Sequence, residues 1–150
     1  MSVTIKLENI SKKYEKNMAL NNINLKIDKG QLVCLLGPSG CGKSTLLRII
    51  AGLEKPNSGK VFIDGKDVTL YPPSKRNFGI VFQSYALFPN LTAFENVAYG
   101  LKTKSRNKNQ INDRVNYLFE MIGLSVEKNK YPSKLSGGEQ QRIALARALA

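Results

Sequence analysis

Hydrophobic and polar residues alternate in the early part of the chain as they do in half-buried β-strands. Period-two patterns cover Val3 to Glu8 and Leu20 to Ile27. A turn at Asp28-Lys29-Gly30 follows, and Gln31 to Leu36 is then apolar on both faces. Such a run is typical of a buried, parallel strand. The pattern therefore predicts two half-buried strands followed by one central strand.

The middle of the chain has the pattern of one helix and two short strands. Thr45 to Leu53 is apolar nearly all round, and Gly52 marks the end of this predicted helix. Val61 to Ile63 is predicted to be a strand that leaves through an Asp64-Gly65 turn. Gly79 to Phe82 is predicted to be a further short strand.

From about Thr92 onwards the pattern becomes helical. One helix is predicted to carry a single apolar stripe and to stop at Gly123. A last, alanine-rich helix is predicted from about Gly138 to Ala150, where no stop signal occurs, so we expect a piece of a longer domain. The residues of the stripe are Ile111, Val115, Leu118, Phe119 and Ile122.

Composition and hydropathy indicate one globular domain. An apolar share of 42% and a charged share of 23% are ordinary for a soluble chain of 150 residues. The apolar stretch Leu32 to Leu36 is too short to cross a bilayer, and the N-terminus lacks a secretory signal. We therefore expect a cytoplasmic protein that reaches the membrane only through a partner. Two cysteines define no disulfide framework, and Cys34 is predicted to be buried.

The formal net charge of +12 favours anionic partners. Lys102, Lys104, Arg106 and Lys108 form the densest basic run, which is either a solvated connector or a nucleic-acid patch. No aromatic residues alternate with these charges as base-stacking platforms would require. We interpret the run as a connector and do not expect nucleic acid as a partner.

Residues 37–44 match the phosphate-loop pattern G-x-x-x-x-G-K-[ST], between a predicted strand and a predicted helix. The glycines let successive backbone N–H groups point inward, and the helix N-terminus adds a positive dipole. Lys43 would supply charge to the β and γ phosphates, and Ser44 a hydroxyl ligand for Mg²⁺. The alternative is a glycine-rich turn before an ordinary helix. The residues predicted to bind the nucleotide are Gly37, Pro38, Ser39, Gly40, Cys41, Gly42, Lys43, Ser44 and Thr45.

Cys41 lies inside this loop, beside Lys43 and at a helix start, where a thiolate is stabilised. One hypothesis is a reactive thiol that bound nucleotide shields. The alternative is a tolerated small residue without a role.

Leu135 to Arg142, with the sequence Leu-Ser-Gly-Gly-Glu-Gln-Gln-Arg, is a second predicted anion site. Ser136 caps a helix whose first turn contains the small residues Gly137 and Gly138, which let a phosphate approach closely. Together with the phosphate loop, this segment resembles the signature motif of ATP-binding cassette (ABC) ATPases. The resemblance implies an α/β fold, with a P-loop NTPase core, an antiparallel β subdomain and a helical subdomain. Residues 1–83 would hold the core with its β subdomain, and residues 84–150 the helical subdomain and the start of the signature helix.

The resemblance also implies a dimer, because in this family two subunits stack head to tail around ATP. The signature of one subunit then contacts the γ phosphate of a nucleotide that the phosphate loop of the other subunit holds. The residues that would do so here are Ser136, Gly137, Gly138 and Gln140.

Three further features gain a role from the resemblance. Gln83 resembles the glutamine that senses Mg²⁺ and the γ phosphate, and would act in catalysis with Lys43. Tyr14 resembles the aromatic residue that stacks on adenine, although a hairpin-packing role is the alternative. Residues 83–97, rich in apolar side chains, resemble the surface that receives the membrane-spanning permease; the alternative is a loop that covers the core.

Val-Phe-Gln-Ser-Tyr-Ala-Leu-Phe-Pro-Asn, which begins at Val81, looks most like the ATPases of importers. Polyamines, ferric iron, sugars and phosphonates are the solutes that this resemblance implies, with phosphonate slightly favoured. The protein would lie on the inner face of the membrane against its permease, and a solute-binding protein would be an indirect partner. The alternatives are a soluble ABC-type ATPase that acts on nucleic acid or ribosomes, and an unrelated P-loop kinase or GTPase.

Two of the family's catalytic features do not occur in the 150 residues. An apolar strand ending in Asp-Glu is missing, and the chain contains no histidine. Because phosphoryl transfer depends on positioned charge, we expect these residues alone to hydrolyse ATP weakly or not at all.

Overall fold

The computed structural model describes residues 3–102 and 107–150. The chain forms two compact units, Met1–Phe78 and Gly79–Ala150. Lys104 and Arg106 of the predicted basic connector lie outside the described residues, whereas Lys102 and Lys108 are exposed at the ends of two helices.

The strands are β1 (Ile5–Tyr14), β2 (Asn17–Ile27), β3 (Ser58–Ile63) and β4 (Lys66–Asp67), and the α-helices are α1 (Lys43–Ala51), α2 (Ala93–Lys102), α3 (Lys108–Met121) and α4 (Gly137–Leu149).

The first unit is built on an antiparallel sheet with the strand order β2-β1-β3-β4. Leu7 of β1 pairs with Leu25 of β2 on one side and with Val61 of β3 on the other. Leu7 and Val61 are fully buried, so the predicted period-two strands are confirmed. Helix α1 contributes Leu46 and Ile49 to the same core. The buried residues of this core are Leu7, Ile10, Leu20, Leu46, Ile49, Ile50, Val61 and Val68.

The prediction of a central strand from Gln31 to Leu36 is wrong, because the described structure has no strand there. Leu32 is 100% exposed, and Cys34 is exposed rather than buried. A run that is apolar on both faces becomes a strand only when neighbouring strands satisfy its backbone. No described strand pairs with this run, and its pattern carries no information about its partners. The predicted strand Gly79 to Phe82 is wrong for the same reason.

Arg76 fixes the C-terminal end of α1. Its guanidinium donates hydrogen bonds to the carbonyl oxygens of Ile49 (2.7 Å), Ile50 (2.9 Å), Tyr71 (2.9 Å) and Thr69 (2.9 Å). Burial lowers the pKa of Arg76. A cation at this end of the helix also complements the helix dipole. The helix that begins in the phosphate loop is therefore anchored at its far end.

The second unit consists of α2, α3 and α4 around its own apolar core. The predicted stripe is confirmed, since four of its members are buried and Ile122 packs against them. Helix α3 ends at Met121 and Gly123 follows with φ 66°, as predicted for a stop. The core residues are Ala93, Val97, Ala98, Leu101, Ile111, Val115, Leu118, Phe119, Leu124, Leu135, Ile143 and Ala146.

Candidate functional site

The predicted phosphate loop runs directly into α1, as the sequence predicts. Gly37, Gly40 and Gly42 have φ angles of 150°, 84° and 95°, in the region that only glycine adopts freely. Gly42 is the N-cap of α1, and no side chain caps the helix start. The first turn of α1 contains no acidic residue. The N–H groups of this turn and the helix dipole therefore face the loop without a competing carboxylate.

Gly42 fixes the loop against the sheet of the first unit. A Cβ at this position would lie 2.3 Å from the carbonyl oxygen of Ala19 and 2.8 Å from Cδ2 of Leu20. Both atoms belong to β2. A residue other than glycine would therefore displace the loop from β2, besides being strained by its φ angle.

The ammonium of Lys43 closes the loop. Its Nζ donates to the carbonyl oxygens of Gly37 and Pro38, both at 2.7 Å, and lies 3.3 Å from Sγ of Cys41. Lys43 takes part in none of the ion pairs found among the described residues. A positive charge is thus held by two backbone carbonyl groups and has no carboxylate partner among the described residues. An anion that entered the loop would meet this charge directly.

The other polar residues of the loop fit a magnesium–phosphate complex. Ser44 is exposed in the first turn of α1, and Thr45 is half-buried behind it. No group of three metal-ligating His, Cys, Asp or Glu residues occurs in the described part of the chain. Mg²⁺ bound to a nucleotide takes most of its ligands from phosphate and water, so one hydroxyl is an adequate protein contribution.

Tyr14 ends β1 and pairs with Asn17 across the hairpin turn. Its side chain is 41% exposed, and Nζ of Lys12 lies 5.0 Å from the ring centroid. The ring is therefore partly covered within the hairpin and partly accessible to another group, so both the hairpin-packing role and the stacking role stay open.

The predicted second anion site is a capped helix start, as expected. Ser136 accepts a hydrogen bond from the backbone N–H of Glu139, and the Glu139 carboxylate accepts bonds from the Ser136 N–H (2.6 Å) and hydroxyl (2.7 Å). These bonds from Ser136 lower the pKa of Glu139. Apart from its chain neighbours and the backbone of its own helix, a Cβ added at Gly137 or at Gly138 would meet no atom of the described residues within 4 Å. Packing among the described residues therefore does not require either glycine.

The side-chain amide of Gln140 is already hydrogen-bonded within the chain. Its Nε2 donates to the carbonyl oxygens of Pro132 (3.0 Å) and Leu135 (3.1 Å). Both amide hydrogens therefore hold the segment that precedes α4, and only the amide oxygen remains for another partner.

Gln83 is exposed in the second unit, ahead of a strained turn. Tyr85 and Ala86 both have positive φ angles, of 58° and 49°. Arg147 of α4 donates to both of their carbonyl oxygens, at 3.0 and 2.7 Å. The sequence reasoning missed Arg147, because one arginine on an amphipathic helix gives no signal of its partner.

The apolar segment 83–97 is partly buried and partly exposed. Leu87 and Phe94 pack against the core of the second unit, and Val97 is buried in it, as the core-covering alternative requires. Asn96, buried and unnoticed in the sequence, holds the turn before α2: it accepts from the Phe88 N–H and donates to three carbonyl oxygens. Phe88 remains 37% exposed and stacks near Tyr99, with their ring centroids 4.7 Å apart. Only part of the segment is therefore available to a partner.

The comparisons with known proteins agree with this geometry. The family model of the ABC transporter matches residues 20–150. The chain is 60% identical over 132 residues to the sulfate/thiosulfate import ATP-binding protein CysA 2 of Chromobacterium violaceum, a match that covers 88% of this chain and 36% of that protein. It is 51% identical over 146 residues to the spermidine/putrescine import ATP-binding protein PotA of Thermotoga maritima, covering 97% of this chain and 40% of that protein.

A third relative and a solved structure extend the comparison. The Fe(3+) ions import ATP-binding protein FbpC of Brucella abortus is 50% identical over 146 residues, covering 97% of this chain and 41% of that protein. The dimeric structure of a post-hydrolysis state of the ATP-binding cassette MJ0796 bound to ADP and Pi superposes with a TM-score of 0.88 at 40% identity, over 97% of this chain and 69% of that one.

The chain belongs to the ABC transporter family, so the resemblance drawn from the phosphate loop and the signature segment is confirmed. Its fold is that of an ABC ATPase cassette, with the antiparallel sheet and the helices in place. The chain spans about two fifths of the length of the curated relatives named above. Phosphonate, the solute slightly favoured by the sequence, is absent from the names of these relatives. No helix in the described ranges, residues 3–102 and 107–150, has the length and apolar character needed to span a membrane.

Proposed function

We propose that residues 37–45 bind the triphosphate of Mg-ATP and that the protein is the ATP-hydrolysing subunit of an importer. In this proposal, ATP binding and hydrolysis drive solute uptake through a membrane permease. Ser44 is the proposed protein ligand of Mg²⁺ in the first unit, and Tyr14 is proposed to stack on adenine. Lys43 is the proposed catalytic residue of the same unit.

One observation carries the proposal, namely that the Lys43 ammonium is held by two carbonyl oxygens of the phosphate loop, those of Gly37 and Pro38. Each of the two backbone bonds of its Nζ is 2.7 Å long, and both are bonds that phosphate oxygens can replace. A charge-assisted bond to phosphate is stronger than a bond to a neutral carbonyl. The exchange therefore favours the bound state and leaves the loop N–H groups to complete the cradle.

Calorimetric titration of the purified protein with Mg-ATP tests the phosphate loop. Lys43→Ala is expected to weaken binding by about tenfold or more, since it removes a charge-assisted contact. Lys75→Ala removes the same charge from an exposed position at a 3₁₀ turn and should leave the affinity unchanged. Equal affinities for both variants and the unmodified protein would contradict the proposal.

The signature helix, which is α4 (Gly137–Leu149), is proposed to bind the nucleotide of a second subunit. Ser136, Gly137 and Gly138 would contact the γ phosphate across the dimer, whereas Gln140, whose amide hydrogens are bonded to Pro132 and Leu135, would act by holding the segment before α4. The dimeric state of the related MJ0796 cassette supports this arrangement. The capping box already places the Ser136 hydroxyl on Glu139, so the backbone N–H groups of the two glycines are the principal donors.

Sedimentation in the presence of Mg-ATP tests the second site separately. Gly138→Asp places a negative charge where the phosphate would lie, and is expected to abolish nucleotide-dependent dimerisation while monomeric binding persists. Gln141→Glu adds the same charge at an exposed position of the same helix and should leave the dimer intact. A dimer in the Gly138→Asp protein would contradict the assignment.

Residues 83–97 are proposed to contact the permease through their exposed part, around Phe88. This contact would place the protein on the cytoplasmic face of the membrane, with a solute-binding protein as an indirect partner. Sulfate, polyamines and Fe(3+) appear in the names of the relatives, which supports a small ion of this kind as the proposed solute. Co-purification from membranes with an integral protein, lost on Phe88→Asp, tests the contact. Recovery with ribosomes or nucleic acid instead would favour the soluble alternative.

A further inference from the structure

Tyr14 belongs to a cluster of charged side chains that the phosphate-loop argument does not use. Nζ of Lys12 lies 2.6 Å from Oε1 of Glu54 and 5.0 Å from the centroid of the Tyr14 ring. The Lys12 side chain is only 12% exposed and that of Glu54 29%, so this pair is more shielded than the ion pairs elsewhere in the described sheet. Hydrogen bonding to Lys12 in the first place, with a smaller contribution from Tyr14, lowers the pKa of Glu54.

The strand end that carries Tyr14 is tied to the segment after α1. Lys12 Nζ also donates to the carbonyl oxygen of Lys55 at 2.8 Å. The backbone N–H of Lys13 donates to Oδ1 of Asn57 at 2.7 Å, and the N–H of Asn57 donates to the carbonyl oxygen of Ser11 at 2.8 Å. Three residues in succession before Tyr14 are therefore fixed to one neighbouring segment.

The same hairpin adjoins the phosphate loop. Ala19 of β2 is the residue whose carbonyl oxygen would lie 2.3 Å from a Cβ at Gly42. Its two neighbours in β2, Met18 and Leu20, pair with Lys13 and Lys12 of β1. The residues next to Tyr14 in β1 thus pair with the strand that lies against the loop.

We propose that the Lys12–Glu54 ion pair positions Tyr14 for stacking on the purine base of the bound nucleotide. The inference rests on the proposed function, because it presupposes that residues 37–45 hold the triphosphate. The Lys12 ammonium covers one face of the ring by a cation–π contact, and Glu54 holds that ammonium in place. An exposed tyrosine without such support loses side-chain freedom when a base stacks on it, whereas a ring fixed in advance does not.

If the Lys12–Glu54 pair positions Tyr14, removing the pair should weaken only the contribution that the base makes to nucleotide binding. Glu54→Gln and Lys12→Gln are each expected to raise the Kd for Mg-ATP by about tenfold, the order of one base–aromatic stack. The Kd for Mg-tripolyphosphate, which has no base, should change by less than about twofold, since Lys43 and the loop are untouched. The control is Lys6→Gln, which breaks the exposed Lys6–Glu8 pair of the same strand and should change neither Kd.

A double-mutant cycle with Tyr14 separates positioning from general stability. In a Tyr14→Ala background, Glu54→Gln should have no further effect on the Kd for Mg-ATP, because the group it positions is gone. Melting temperatures of all variants, measured with and without tripolyphosphate, establish that the folded protein is being compared. Equal weakening of ATP and tripolyphosphate binding, or an additive cycle, would overturn the inference. Failure of the unmodified protein to bind tripolyphosphate would instead overturn the proposed phosphate loop.

Discussion

Arg147 donates a hydrogen bond of 2.7 Å to the carbonyl oxygen of Ala86, a residue 61 positions earlier in the chain. The same guanidinium bonds to Tyr85 and lies 5.5 Å from the ring centroid of Phe88. Burial lowers the pKa of Arg147. One side chain of the signature helix therefore holds the turn that follows Gln83, including two residues with left-handed backbone.

We expect Arg147→Met to destabilise the protein by about 1.5–3 kcal/mol, because two bonds from a charged donor are lost. Urea unfolding followed by circular dichroism measures the change. Arg142→Met alters an exposed arginine on the same helix and should cost less than about 0.5 kcal/mol. Equal stabilities of the two variants would contradict the role of Arg147.

Gly42 and Gly40 form a matched pair for testing the loop. Both have positive φ angles, but only an added Cβ at Gly42 would collide with β2. Apart from its chain neighbours, no described residue lies within 4 Å of a Cβ added at Gly40. Gly40→Ala should cost about 1–2 kcal/mol from backbone strain. Gly42→Ala should cost more and weaken Mg-ATP binding by about tenfold beyond Gly40→Ala, since it displaces the loop. The two variants are compared by thermal unfolding and by calorimetry, and identical affinities would contradict the packing argument.

Glu139 provides a pH test of the signature helix. The pKa of this carboxylate in the folded protein is lowered below its ordinary value of 4.5 by its bonds from Ser136. A lowered pKa stabilises the folded state fully above about 4.5, and this contribution is lost as pH falls through the folded value. The stability difference between the unmodified protein and Glu139→Gln should therefore shrink below pH 4.5. Unfolding curves from pH 7 to pH 3 measure it; a difference independent of pH would exclude the capping carboxylate as its source.

Cys41 and Cys34 allow nucleotide protection to be measured within one molecule. Both thiols are free and exposed, but only Cys41 lies in the phosphate loop, 3.3 Å from Nζ of Lys43. Saturating Mg-ATP should slow alkylation of Cys41 by about tenfold or more, while Cys34 reacts at an unchanged rate. Mass spectrometry of peptides after timed alkylation gives both rates. Equal rates for Cys41 with and without nucleotide would refute the hypothesis of a shielded thiol.

The features that the sequence predicted well are local. The phosphate loop, the cap at Ser136 and the stripe on α3 depend on residues close together in the chain, so spacing and residue type are sufficient. Strand pairing is not local, which explains the wrong prediction for Gln31 to Leu36. Its apolar pattern indicates that the segment needs neighbouring strands but does not indicate which segments these are.

The contacts that support the site were missed for the same reason. The partners of Arg76, Arg147 and Lys12 are carbonyl oxygens or a carboxylate far along the chain, and an isolated basic residue has no period. The burial of Asn96 could not be predicted either. The four backbone groups that bond to its side chain, from Phe88, Leu91 and Thr92, come together only when the turn before α2 has formed. The residues proposed to bind the phosphates are recognisable from a sequence motif, whereas the residues that hold them in place are recognisable only from the tertiary structure.

The central claim is that the phosphate loop binds the phosphates of ATP. Its most direct test is nuclear magnetic resonance of the backbone amides during titration with a non-hydrolysable Mg-ATP analogue. The largest shifts should fall on the N–H groups of residues 39–45, and Lys43→Ala should suppress them. Full occupancy of the analogue with unshifted loop amides, or the same shifts without the Lys43 ammonium, would contradict the account.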